Sequence, residues 1–440
     1  MNYNELINKS KEYGFSDLEI YEDRNSELTI SIYNGNVEKN NISDATQITI
    51  RGIYNGKMSS MILENNNESI EFILNNLRTN AQIISTEEEF SIYEGDAVYP
   101  KAREIKNDFQ EYTTYEKIEM LKGLEKEVKS LDSRVAFVPY CNYEESKTTI
   151  RIINSKGLNI EKGNEYCALV LQAVARENND SQSGFKVDVQ LKYENLDVKK
   201  LATEVVERTV SMLNARSIPS KVYPVIIENE AMTDLLSAYF SAFSGEAAIK
   251  KITPFLGKEN EKIMSDLITI VDNPLREDAI LNAPFDDEGV ACSEKVIVDK
   301  GVLKTLLHNL KTAKYFNTKS TGNGFKRGAT IDVSGANFYI EPGIKTKKEL
   351  IQQMNEGLLL TGVEGLHAGV NPISGDFSLK AQGFLVTEGK IDRPITLIVA
   401  SGNFYKLMNA VVAVGNDLEL GYQGIATPSI LFNGLAISGE

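Results

Sequence analysis

Four glycines, Gly365, Gly369, Gly375 and Gly383, fall within residues 365–384, a stretch otherwise made mostly of small or apolar residues. Glycine loses more conformational freedom on folding than any other residue, so this density needs a steric reason. The usual reasons are positive φ in tight turns, or main chain that another strand must approach closely. The same stretch holds His367, one of two histidines in 440 residues. It reads either as a turn-rich barrel corner or as a place where an extended chain lies against the backbone.

Two dipeptides constrain the other end of the chain. Asn34-Gly35 and Asn55-Gly56 each separate alternating segments (28–32, 48–51, 58–61), which predicts two successive hairpins and an antiparallel sheet of at least four strands. Helices are predicted over 67–84, 114–131 and 198–214, where apolar residues such as Leu121, Leu124 and Val128 recur at helical spacing. Strands are expected over 134–139, 148–153 and 167–175, with turns at Lys156-Gly157 and Lys162-Gly163; no internal repeat is evident. Pro219 and two serines within 215–221 mark a domain boundary. After Pro284 the pattern is mainly antiparallel β, broken by helices near 346–355 and 404–412. The predicted class is α+β. An N-terminal domain (1–215) of antiparallel sheet and helices precedes a β-rich, barrel-like domain (216–440) with a few helices.

A chain of 440 residues can bury two cores, and 42% hydrophobic with 25% charged residues is a soluble globular balance. The formal charge of −15, with no Lys/Arg-rich run, argues against direct binding to nucleic acid or to anionic lipid. No apolar run approaches the roughly 18 residues of a membrane span, and the first residues lack signal-peptide character. Cys141, Cys167 and Cys292 are odd in number and far apart, which fits reduced thiols and predicts a cytoplasmic protein.

Within 232–243, Met232, Leu235, Leu236, Tyr239, Phe240 and Phe243 form one apolar stripe, while Ser237, Ala238, Ser241 and Ala242 make the other face small. Asp286, Asp287 and Glu288 in one loop are a candidate holder of a divalent cation or an amino group, or a solvated turn. Cys292 with His308 is a candidate thiol and base, though nothing nearby orients the imidazole. Asp376 can anchor a main-chain amide, or organise its own loop as an Asx-turn. Ser378, Lys380 and Gln382 share a strand face by the two-residue period, which suits an incoming peptide added as an extra strand.

Several segments in order resemble the TldD/PmbA family, in its PmbA (TldE) branch. They are Phe285-Asp286-Asp287-Glu288-Gly289-Val290, Lys319-Ser320-Thr321-Gly322, Val370 to Ser378, Gly383-Phe384, Ile395 to Asn403, and Thr427-Pro428-Ser429. In the TldD branch the helix corresponding to 232–243 carries a His-Glu-x-x-x-His zinc motif. Aligned on Leu235-Leu236, its chemical positions are here Ser237, Ala238 and Ala242, and no cysteine follows Cys292 to supply that branch's third ligand. A hydroxyl and two methyl groups do not replace imidazole and carboxylate.

The resemblance therefore implies the partner subunit of a heterodimeric zinc metalloprotease of TldD/TldE type, acting on unfolded or leader-containing peptides and long described as a modulator of DNA gyrase. It implies no metal or catalytic residue in this chain and zinc in the TldD-type partner. His367, Gly375, Asp376, Phe377, Ser378, Asp286 and Asp287 become the expected peptide-binding residues. The alternatives are a self-sufficient hydrolase using Cys292 or the Asp286/Asp287 carboxylates, or a homodimeric peptide-binding protein.

Overall fold

The computed structural model describes all residues except 66, 85–90, 105–106 and 329. The first half contains the same arrangement twice, a helix, three strands and a helix. The first unit is α1 (Tyr3–Glu12), β1 (Phe15–Tyr33), β2 (Asn36–Tyr54), β3 (Lys57–Leu63) and α2 (Ile70–Ile83). The second is α3 (Thr114–Leu131), β4 (Val135–Asn154), β5 (Asn159–Glu177), β6 (Asp180–Gln190) and α4 (Val198–Val210). The strands form one antiparallel half-barrel sheet in the order β3-β2-β1-β4-β5-β6, with β1 and β4 paired at its centre from Glu19↔Asn154 to Ser31↔Asn142. The repeat escaped the sequence reading because it is one of topology, carried by different residues in each unit.

Asn34-Gly35 and Asn55-Gly56 both have positive φ at each position (49°, 74° and 51°, 75°), the geometry whose twist matches antiparallel strands. The two hairpins join only three strands, because residues 15–33 run as a single strand; the sheet reaches six through the second unit. Lys162-Gly163 is not a turn but lies inside β5, where a Cβ on Gly163 would stand 3.3 Å from the Thr148 carbonyl of β4. Helices α1 and α2 cover Leu18, Ile20, Ile48 and Ile50, while α3 and α4 cover Cys141, Tyr143, Leu169 and Leu171. Each such side chain contributes roughly 1.5–3 kcal/mol on burial. The sheet's other face receives the second half of the chain.

That second half is built on a closed five-strand barrel. Its strands are β7 (Lys221–Ile227), Gly357–Glu364, Asp376–Thr387, Lys390–Asn403 and Ile430–Ser438. The ring closes because Ile430–Ser438 pairs with β7 on one side and with Lys390–Asn403 on the other, at Val399↔Ser438 to Ser401↔Ala436. Val225, Ile227, Leu358, Leu360, Leu379, Ile398 and Phe432 fill it. Helix Lys347–Met354 covers Ile226, Leu359 and Leu431 outside. Gly383 is a close-approach glycine: a Cβ there would overlap the Leu359 carbonyl of the neighbouring strand. Both edges of Asp376–Thr387 are occupied, so the extra peptide strand expected along Ser378, Lys380 and Gln382 has no free edge to join.

The halves meet where Phe285 joins Tyr21, Ile152 and Leu158 in a small apolar cluster. The Arg103 guanidinium crosses from the first half to donate to the carbonyls of Glu277 (2.9 Å) and Ile280 (3.1 Å). No helix among the described residues is long and apolar enough to cross a membrane.

Candidate functional site

Helix α5 (Asn229–Tyr239) follows β7 and buries Met232, Leu235, Leu236 and Tyr239 against the barrel core. Its start is fixed by the Thr427-Pro428-Ser429 segment. The Asn229 N–H donates to Ser429 Oγ (3.1 Å), Ser429 Oγ donates to Asp417 Oδ2 (2.6 Å), and Thr427 Oγ1 donates to the Asn229 carbonyl (3.1 Å). The helix tightens into a 3-10 turn at Phe240–Phe243, and Ser244 caps the next helix, Gly245–Ile249. Ser237 and Ala238 are half-buried, and Ala242 is buried. The small residues beyond them serve internal packing: a Cβ on Gly245 would lie 2.9 Å from Thr312 Cβ.

The glycine-rich loop lies against this helix. His367 is exposed on the short helix Leu366–Gly369, which packs on α5. Tyr239 Oη donates to the carbonyls of Gly375 (2.9 Å) and Asp376 (3.1 Å), and Tyr405 Oη donates to the Pro372 carbonyl. Gly375 has φ +87°, and a Cβ there would run into the Tyr405 ring. The Asx-turn considered for Asp376 is made instead by Asn371, whose Oδ1 accepts from Ile373 (3.0 Å) and Ser374 (3.2 Å). Asp376 is exposed; hydrogen bonds from Asn403 (2.9 Å) and Ser374 hold its carboxyl below the usual carboxylate range. Ser378 meets Ser401 Oγ at 3.2 Å, while Phe377 points inward and belongs to the barrel core.

Asp286 and Asp287 lie elsewhere, sealed between the halves. Asp286 accepts from the N–H groups of Glu288 (3.0 Å), Val290 (2.9 Å) and Gly324 (2.8 Å). Burial, then the neighbouring Glu288 charge, push its carboxyl up to about 8 against the pull of those donors. Asp287 pairs with Lys162 (2.7 Å) and accepts from the Lys326 N–H (2.8 Å). At 0% and 6% exposure neither offers an oxygen to a ligand from solution. Cys292 is equally enclosed: its thiol donates to the Gly322 carbonyl (3.2 Å), and burial pushes its pKa far up, which removes thiolate character. His308 packs under Gly245 with Nδ1 3.1 Å from Thr312 Oγ1, and burial lowers its pKa.

The accessible concavity lies on the other flank of α5. Three cavities of about 680, 310 and 690 Å³ meet at Lys186 and Glu419. One wall is β6, the outermost strand of the half-barrel, which pairs only with β5. The opposite wall is α5 through Glu230, Thr233 and Asp234, and the loop around Glu419 and Tyr422 roofs the space. Lys186 of β6 reaches across to Glu230 of α5 (2.8 Å), which also pairs with Arg208 of α4. Those two cations hold Glu230 below the usual range despite its burial. Tyr166 of β5 stacks on Tyr422 at 6.3 Å. Positions 186, 208, 230 and 419 share no local pattern, so the cleft carried no sequence signal except the polar face of the helix at Asp234.

Three family descriptions match in order: PmbA/TldA metallopeptidase domain 1 over residues 18–81, the central domain over 107–213, and the C-terminal domain over 220–439. The chain is 29% identical to a metalloprotease of Archaeoglobus fulgidus, over 90% of both chains. It is also 29% identical to metalloprotease PmbA of Escherichia coli O157:H7, over 61% of this chain and 57% of that one. A PmbA homolog of Buchnera aphidicola is 31% identical over 67% of this chain. The matched stretches span 64% and 57% of the lengths of the Buchnera and E. coli proteins. Among solved structures, TldE from Thermococcus kodakarensis has a TM-score of 0.89 at 25% identity, covering 99% of this chain and 100% of that one. A Thermotoga maritima protein with the provisional description of a modulator of a DNA gyrase has a TM-score of 0.91 at 30% identity, over 99% of both chains.

The family's name implies a metal. The groups at positions 237 and 238 of α5 and 242 of the turn after it, a serine hydroxyl and two alanine methyls, do not fit one. Nor does any set of three His, Cys, Asp or Glu residues among the described residues lie close enough to share an ion. Three consecutive domain matches that together span most of the sequence, with TldE as a structural neighbour, assign this chain to the PmbA/TldA metallopeptidase family, in its PmbA (TldE) branch.

Proposed function

We propose that this chain is the metal-free subunit of a two-chain peptidase, in which a TldD-type partner carries zinc and performs hydrolysis on unfolded or leader-containing peptides. One observation carries the reading: Ser237, Ala238 and Ala242 occupy the positions where the TldD branch of the resembling family has His, Glu and His. The burial of Cys292, Asp286 and Asp287 weighs against the self-sufficient alternatives, because none of the three reaches a substrate. The subunit's contribution is peptide binding. The cleft beside β6 offers an unpaired strand edge to an extended chain, where backbone bonds supply affinity without strict sequence preference. The three buried free cysteines accord with a cytoplasmic setting.

The experiment is zinc analysis and peptide cleavage by the purified chain, alone and mixed with a TldD-type subunit. The expected result is no stoichiometric zinc and no turnover alone, with turnover in the mixture. Stoichiometric zinc and peptidase activity in the chain by itself would overturn it.

A further inference from the structure

The cleft is unevenly charged. Ten carboxylate residues and four basic ones line its three cavities. Every one of the four cations is already engaged. Lys186 and Arg208 pair with Glu230, Lys347 with Glu228, and Lys200 stands 3.7 Å from Glu204. Asp234 has no such partner. It projects from α5 one helical turn beyond Glu230 and one turn before Ala238, into the cavity of about 310 Å³ that β6 closes on its far side. No hydrogen bond or ion pair to its carboxylate is found among the described residues. Asp234 is exposed and so open to a ligand in the cleft, where partial desolvation and the adjacent Glu230 raise its pKa, with Arg208 opposing.

We infer that Asp234 receives the cationic side chain of an extended peptide lying between β6 and α5, so that the cleft selects lysine- or arginine-bearing segments. This rests on the reading of the chain as a peptide-binding subunit and adds the class of peptide. Val187 and Val189 of β6 line the same cavity, so apolar surface lies opposite the carboxylate. A long basic side chain matches that pair of walls, with its methylenes against the valines and its charged end at Asp234. The complementarity between a cationic side chain and this acid-rich cleft yields the selectivity, and it weakens as salt rises.

The test uses the full chain and two acetylated, amidated octapeptides, one alternating threonine with lysine and the other threonine with norleucine, followed by fluorescence anisotropy. The blocked ends leave lysine as the only cation, and the alternation presents it in either register. The lysine peptide is expected to bind at least tenfold more tightly at 50 mM salt. Asp234→Asn should remove most of that preference while leaving the norleucine peptide's affinity and the thermal midpoint unchanged. Equal binding of the two peptides, or a lysine preference that survives Asp234→Asn, overturns the inference and leaves the peptide-binding role standing. Failure of both peptides to bind, with or without a TldD-type subunit, overturns both.

Discussion

Tyr239 hydrogen-bonds the carbonyl oxygen of Gly375 at 2.9 Å, and so ties α5 to the glycine-rich loop 136 residues later. The same ring stacks on Phe404 at 4.2 Å with the planes within 6°. Tyr239→Phe keeps the stacking and removes the hydroxyl, leaving two buried carbonyls with one bond fewer. A loss of about 1–2 kcal/mol in denaturant unfolding is expected. Hydrogen exchange should rise at residues 371–376 and stay unchanged in the half-barrel sheet.

Gly375→Ala is expected to cost more than Tyr239→Phe. It places a Cβ at φ +87° and against the Tyr405 ring, so strain and overpacking act together. A loss of roughly 2–4 kcal/mol follows. The double variant Gly375→Ala/Tyr405→Ala, which removes the obstructing ring, should recover only the packing share. The cycle of urea midpoints separates the two.

Lys162 and Asp287 are paired at 2.7 Å with both side chains almost wholly enclosed. Lys162→Met leaves the carboxylate without its counter-charge at the contact between the two halves, at a cost of about 3–5 kcal/mol. The loss for Lys162→Met combined with Asp287→Asn should be well below the sum of the single losses, because no uncompensated charge remains. A double-mutant cycle by chemical denaturation measures this, and strict additivity would contradict the pairing.

His308 gives a pH dependence of definite sign. Burial lowers its folded-state pKa below the unfolded value of about 6.5, so the neutral ring is favoured in the fold. Above pH 6.5 both states are neutral there and the residue adds no slope. As pH falls below about 6.5 the unfolded chain takes up a proton first, and stability declines. Asp286 works in the opposite sense: burial and the Glu288 charge raise its folded-state pKa to about 8, so its neutral form is favoured in the fold and stability falls as pH rises from about 4 to 8 and the unfolded carboxyl ionises. His308→Gln should flatten the acid limb between pH 5 and 6.5, and Asp286→Asn the slope between pH 5 and 8, in urea titrations across that range.

The sequence disclosed most where structure is local. Asn-Gly hairpins, the spacing of Leu121, Leu124 and Val128, and the apolar stripe of α5 are all set by residues a few positions apart, and each element was found where these residues place it. It was silent where meaning arises on assembly. Asp286 and Asp287 look like a loop site in one dimension, and only the approach of Lys162 and Gly324 turns them into sealed structural carboxylates. Phe377 stands within a polar motif, yet the strand's alternation turns it inward. The cleft draws Lys186, Arg208 and Glu230 from three separate elements, and no spacing rule connects them.

Closure of the barrel has a temporal consequence. Strand β7 has no partner until Gly357–Glu364 has been made and its second edge stays open until Ile430–Ser438 follows, some two hundred residues later, whereas every pairing within the half-barrel sheet is complete by Gln190. Contacts so distant along the chain form slowly. During synthesis the first half should therefore adopt its native sheet while β7 and α5 wait with their apolar sides uncovered, which makes this interval the one in which the nascent polypeptide most needs a chaperone.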